Sequence, residues 1–418
     1  MDLLVEGIEN GWVEKTELTR KLTLAGKTMA YPVYRVRLDK LYYNDQNDRI
    51  STWIEEYCLK NGIDKLNCNE DEMESYNSLI ETFIEESNRE KLVQTRNNIA
   101  MFCQREAGIS LADGRVVDGN RRFTCLRQLH RENLHNENFA FFETVILPES
   151  IEKDMKHIKM LELMVQHGEE SRVDYDPINR LAGLYNDLVR NKLLTVKEYA
   201  QSINQQESDV QKDLELAEFL AEYLDSIQMP LQFHIARKNK LDGPIREIFS
   251  VIRAEKDEDM KADMKEVAFT QLTLMPHTDM TRYMRNIKRI LKDKRQAKNF
   301  IEEQLDIAEK LTDEISDSKM VSDGKVMETL ESLKAESDLA KQASRCTEVF
   351  DNRVRATADR ERAAHVIEKA IDSIRELDQR IFPKLSEELR TTIVEDADEL
   401  IELLGEIKEA AGVHRSDA

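Results

Sequence analysis

Between Arg115 and His130 the chain passes from a strand pattern to a helix pattern with no linker. Val116-Val117 is a β-branched pair suited to a pleated strand. It ends on Asp118-Gly119, and the next residues place Phe123, Leu126 and Leu129 at helical spacing. Just upstream, Asp113-Gly114 separates Ile109-Ser110-Leu111 from Arg115-Val116-Val117. Such a two-residue turn predicts a hairpin. The fold must therefore hold a helix N-terminus against the end of a strand. Gly119 permits a tight turn and close approach of a ligand to the backbone. The helix start offers open N–H groups and the positive end of its dipole. Arg121 and Arg122 add two guanidinium groups, and charge-assisted forks of this kind suit a di- or triphosphate. The same residues also fit a plain hairpin-to-helix turn whose arginines pair with neighbouring acids. The local pattern leaves both readings open.

The rest of the sequence places this junction in an α+β N-terminal domain followed by a mostly helical middle and C-terminal region. Residues 1–30 read as an appendage. Residues 31–150 carry the strands: Tyr31 to Leu38 alternates, and Phe139 to Leu147 is β-rich and stopped by Pro148. The polar turn Asn44-Asp45-Gln46-Asn47-Asp48-Arg49 lies between them in the chain. Residues 51–95 hold 11 acids and 4 bases and read as an inserted pair of helices around an acidic loop near Asn67–Glu74. Leu92 to Cys103 is a further helix. With only 13 Gly and 7 Pro in 418 residues, few breakers interrupt the remaining two thirds of the chain. Residues 151–230 are helical. Within 195–225, Thr195-Val196-Lys197-Glu198 forms a capping-box pattern, and two short helices have the rhythm of a helix-turn-helix. Residues 231–418 read as long amphipathic helices, interrupted at Asp323-Gly324 and Pro383. Stripes such as Ile367, Ile371, Ile374 and Leu377 fit a helical bundle or coiled coil.

A formal net charge of −21 repels nucleic acid, so any such contact requires a local basic patch. One candidate is the predicted helix carrying Arg282, Arg285, Lys288, Arg289, Lys292 and Arg295, in which Asp293 is the one acid. The plainer reading is a solvated face paired with acidic helices of the same chain. The second helix of the helix-turn-helix-like unit carries Asp209, Asp213, Glu215, Glu218 and Glu222 against Lys212, a poor surface for phosphates. Cys58, Cys68, Cys103, Cys125 and Cys346 form no CxxC pair, which points to free thiols in a reducing compartment. Neither a signal peptide nor a run of ~18 apolar residues is legible. The expectation is a cytoplasmic protein without membrane contact.

Three segments carry a family resemblance. Val117-Asp118-Gly119-Asn120-Arg121-Arg122 resembles the glycine-x-arginine-arginine box of ParB-family partition proteins and their ParB/sulfiredoxin-fold relatives. Tyr42 to Arg49, an Asn-rich turn ending in Arg after the first strand, is similar to the family's first box. Arg172-Val173-Asp174-Tyr175-Asp176-Pro177 is similar to its third, and residues 195–225 stand where the family has its helix-turn-helix. The resemblance covers roughly residues 30–230 and implies a nucleoside triphosphate ligand. Gly119, Asn120, Arg121 and Arg122 would bind its phosphates, and Arg49 and Arg172 would close around it. Where the family places a Glu-Asn pair for Mg²⁺, this chain offers Gln166-His167 or Glu169. Asn120 replaces the family's usual Glu and also stands where sulfiredoxins have their cysteine. Cys125 reads as a core residue. The resemblance implies a nucleotide-dependent, DNA-associated protein that switches conformation, in plasmid partition, regulation, or mobile-element and antiviral defence. Its C-terminal helices would serve a homo-oligomer or a helical protein partner. Two alternatives stand beside it. One is a Mg²⁺-dependent nuclease or phosphotransferase with Asp118, Glu169 and Asp174 as metal or base residues. The other is a non-catalytic helical interaction protein.

Overall fold

The strand patterns assemble into a single sheet. The computed structural model describes residues 2–24, 27–148, 151–167, 176–316, 331–334 and 337–412. Six strands, β1 (Val13–Leu24), β2 (Lys27–Arg37), β3 (Tyr42–Tyr43), β4 (Gly108–Leu111), β5 (Arg115–Asp118) and β6 (Phe141–Leu147), lie in the order β1-β2-β6-β4-β5-β3. The β1/β2, β2/β6 and β4/β5 pairs are antiparallel, and β4/β6 and β3/β5 are parallel. The expected hairpin at Asp113-Gly114 is the β4/β5 connection. Residues 1–30, expected as an appendage, instead contribute β1 to the sheet. The strand is hidden in the sequence because it lies at the edge and mixes Glu14, Lys15, Glu17, Arg20 and Lys21 with few apolar residues. Only Val13 and Leu22 of its described side chains are buried.

Alternation along the strands sends side chains to two faces. Val36, Tyr43, Val116, Phe142 and Ile146 join one core with helices α1 (Ser51–Asn61), α2 (Met73–Ser87), α3 (Arg89–Phe102) and α4 (Asn120–Glu132). Val33, Ile109, Leu111, Val117, Val145 and Leu147 join a second core with Ile158 and Leu161 of α5 (Ile151–His167). A sheet covered on both faces explains why Val116-Val117 has no polar partner in its alternation. The stretch expected as an insertion is therefore one wall of the core. Arg127 of α4 is buried against Glu81 (3.2 Å) and Glu74 (2.8 Å) of α2, which locks that wall to the helix after Gly119.

The helical middle docks on this domain. Helix α6 (Pro177–Tyr185) leads through a π-helical turn, Asn186–Arg190, to α7 (Val196–Ser202) and α8 (Glu207–Ser226). Thr195 and Glu198 form the expected capping box. α8 is longer than the short helix expected, because Leu220 and Leu224 continue the buried stripe of Val210, Leu214 and Ala217. From α9 (Phe233–Lys238), Arg237 stacks 3.4 Å from the Trp53 ring centroid, and Lys238 pairs with Glu56 at 2.6 Å. Helices α10 (Asp242–Ile252), α11 (Glu258–Leu274), α12 (Met280–Lys292) and α13 (Ala297–Ser316) pack next. A buried network of Gln271, Tyr283, Gln304 and Thr347 fixes their register. Two further helices, α14 (Asp338–Arg375) and α15 (Glu387–Ala410), complete the chain. The chain divides into two units, Met1–Asp351 and Asn352–Ala418. The expected break at Pro383 falls in a 3-10 turn, Gln379–Lys384. The one expected at Asp323-Gly324 lies outside the described residues. Among those residues no helix is long and apolar enough to cross a membrane.

Phe142 is fully buried and its ring centroid lies 5.6 Å from that of Phe123, one turn into α4. Phe142→Ala should cost about 3–5 kcal/mol in chemical denaturation of the full chain. A loss under about 1 kcal/mol would mean that this face of the sheet does not carry the core.

Candidate anion site

The parallel pairing of β3 and β5, with Tyr43 opposite Val116, brings two turns to one edge of the sheet. The chain leaves β3 at Asn44 and β5 at Gly119, both at carboxyl ends, where open sheets present loops to ligands. Gly119 has φ +93°, the left-handed region that favours glycine. A Cβ there would stand 3.0 Å from Phe142 Cζ and 3.2 Å from Arg122 Nη2. Asn120 then opens α4, and no side chain caps its first amides among the described residues. On the neighbouring turn, Asn44 Oδ1 accepts from the Gln46 amide (3.2 Å) and Asn47 Oδ1 from the Arg49 amide (3.1 Å). The asparagines of the first box thus shape the loop that presents Arg49.

The two arginines of the second box diverge. Arg122 turns to Glu106 and to Asp118, whose Oδ2 lies 3.3 Å from its Nη2. Asp118 also takes Arg20 from β1 at 3.0 Å, and Arg20 donates to the Ala107 carbonyl at 2.6 Å. Asp118, a catalytic candidate on sequence grounds, is thus held between two guanidiniums and orients them. Arg121 takes neither of these carboxylates. Burial lowers its pKa, and the nearby Arg49 guanidinium lowers it further. Among the described residues no carboxylate pairs with Arg121. Two more polar atoms near these turns, Asn44 Nδ2 and Asn120 Oδ1, are buried without a hydrogen bond. Half-buried like charges beside orphaned polar atoms are costly, and an anion among them would relieve that cost. Cys125 is no nucleophile: burial pushes its thiol up to about 12.

The helix of the third box touches the first. Pro177 starts α6 behind the N-cap Asp176, whose Oδ1 accepts from the amides of Ile178 (2.9 Å) and Asn179 (3.2 Å). Asn179 Nδ2 donates to the Arg49 carbonyl at 2.9 Å, and its Oδ1 accepts from Thr52 at 2.6 Å. A Cβ on Gly183 would stand 2.6 Å from the Asp48 carboxyl carbon, so α6 lies directly on this turn. Behind it, Lys159 of α5 is buried with Asp48 (2.6 Å), Asp187 (3.5 Å) and Glu162 (3.8 Å). Burial alone would lower the Lys159 pKa, and the three carboxylates outweigh it and raise it. Arg172 and Glu169, expected to close around the ligand and to hold Mg²⁺, lie outside the described residues, as does the side chain of Gln166. Among the described residues no group of three His, Cys, Asp or Glu side chains is placed to hold a metal.

The proposed nucleic-acid face is largely engaged by the chain itself. Arg285 and Lys288 both reach Glu247, at 2.7 and 3.1 Å, Arg289 pairs with Asp351, and Arg295 is 3.6 Å from Asp293. Arg282 and Lys292 complete the set. On α8, Lys212 pairs with Asp209, and Asp213 takes Arg180. The residues that sequence reasoning missed are Arg20, Lys159 and Asn179. Each acts over more than 90 positions of chain separation, beyond the reach of local periodicity. No family model matches this chain, and no curated protein matches it.

Burial lifts Asp187 to about 7; Lys159 opposes the shift and the Asp48 carboxylate reinforces it. The folded state therefore holds this proton more tightly than the unfolded chain, whose Asp titrates near ~3.9. The stability it contributes is complete below about pH 4 and is lost as pH rises toward 7. Asp187→Asn removes that dependence. Thermal melts from pH 4 to 7.5 should show the parent losing ground to the variant by several degrees. A gap that stays constant or moves the other way would contradict the assignment.

Proposed function

We propose that the first unit binds a nucleoside triphosphate. The phosphates sit between the turn after β3 and the start of α4, against Arg121, Arg49 and the open amides of α4. The observation that carries this reading is Arg121: half-buried, its pKa lowered by burial and by Arg49, and without a carboxylate partner among the described residues. Two guanidiniums gathered in this way lose their mutual repulsion when an anion enters. The orphaned Asn44 Nδ2 and Asn120 Oδ1 offer one donor and one acceptor to the same ligand. Arg122 is the scaffold arginine, tied to Asp118 and Glu106. Support for a ParB-like identity comes from the first and second boxes lying side by side, with the helix that starts at Pro177 resting on the first: Asn179 holds the Arg49 carbonyl and Arg49 acts on Arg121.

Because α6 rests on the Arg49 turn, a ligand that draws Arg49 inward also acts on α6 and the helices beyond it. Differential affinity for two positions of α6 is all that a nucleotide switch requires. The nuclease and phosphotransferase readings gain less support, because Asp118 is already engaged by Arg20 and Arg122. No metal step is assigned. A duplex at the α12 face would have to displace the chain's own Glu247 and Asp351, so DNA enters as a component of the test.

Thermal shift of the full chain against ATP, CTP, GTP and UTP, with and without Mg²⁺ and duplex DNA, tests the reading. At least one triphosphate should raise the melting temperature by mass action. Arg121→Ala should abolish that rise and leave the ligand-free melting temperature equal or higher, because a repelled charge is removed. A full ligand shift in Arg121→Ala would overturn the site.

A further inference from the structure

The second unit leaves an apolar surface that a lone copy does not use. None of the 24 residues of α15 is buried among the described residues. Ile401 is 68% exposed, Leu404 39% and Ile407 48%, and on the last part of α14 Val366 is 56%, Ile371 43% and Ile374 46% exposed. Most helical stability in proteins comes from packing an apolar face. Both helices also carry a seam in alternating steps of four and three: Ala363, Ile367, Ala370 and Ile374 on α14, then Ile393, Ala397, Leu400, Leu404 and Ile407 on α15. Such steps are the signature of helices made to pack along their length.

We propose that a second copy of this chain covers this surface, with α15 of each copy laid against α14 of the other. Charge selects this pairing. α15 carries nine acids and two bases, whereas α14 from Asn352 to Arg375 carries six bases and four acids. Two α15 helices face to face would set acid against acid. α15 against the partner's α14 sets opposite charges beside a shared apolar seam. The lengths agree as well: Asn352 to Arg375 and Glu387 to Ala410 each span about 36 Å of helix. The exchange is reciprocal, so one two-fold axis satisfies both contacts and closes the assembly at two copies.

Sedimentation of the full chain across the micromolar range tests this. The expected mass is twice 48.7 kDa, and the double variant Leu404→Glu, Ile407→Glu should sediment as a single copy with the parental helical signal. A second variant leaves the seam intact: exposed Glu399 and Glu402, both changed to Lys, should weaken the dimer at least tenfold. Three results would overturn the proposal. They are a parent that stays at 48.7 kDa, a dimer that survives the seam variant, and a dimer unmoved by the charge variant. The first would mean that the same chain or an unrelated partner covers the surface.

Discussion

Two guanidinium groups, those of Arg49 and Arg121, are held near each other in a half-buried place. Like charges so placed oppose folding. The fold absorbs that cost through clamps on both sides. β3 and β5 run in parallel and aim both turns at one edge. Arg127, buried between Glu74 and Glu81, locks α4 to α2, and Asn179 and Lys159 pin the Arg49 turn from the α5 and α6 side. An anion between these groups, as proposed above, would lower the repulsion that Arg121 feels from Arg49.

The arrangement also sorts the acids and bases of a strongly negative chain. Many cations near the site and on α12 have a carboxylate: Glu247 takes two of the α12 cations, and Glu106 and Asp118 take Arg122 and Arg20. Arg121 is half-buried, has no carboxylate partner among the described residues, and stands at the start of a helix that already favours negative charge. The surface that sequence alone marks as most basic is thus largely paired within the chain.

The features legible in the sequence are the local ones. The Asp113-Gly114 hairpin, the handover from Val117 through Gly119 into α4, the stop of β6 at Pro148 and the Thr195–Glu198 capping box all depend on residues a few positions apart. β1 is not legible because an edge strand with one wetted face needs little apolar alternation. The division of labour between Arg121 and Arg122 is not legible either. It depends on Arg20 reaching Asp118 from 98 positions away and Glu106 waiting beside it. The 51–95 stretch reads as an addition because its charge is so uneven. Its apolar residues Trp53, Ile80, Phe83 and Ile84 nevertheless form part of the main core, with the acids on the outer face and at the Arg127 clamp.

Calorimetric titration of inorganic triphosphate into the full chain, parent beside Arg49→Gln, bears most directly on the central claim, because it isolates the anion from any base or sugar. Saturable binding at one site per chain, lost or weakened at least tenfold in the variant, is the predicted result. Equal affinity in the two proteins, or no binding in either, would contradict the claim that Arg49 and Arg121 are gathered to receive an anion.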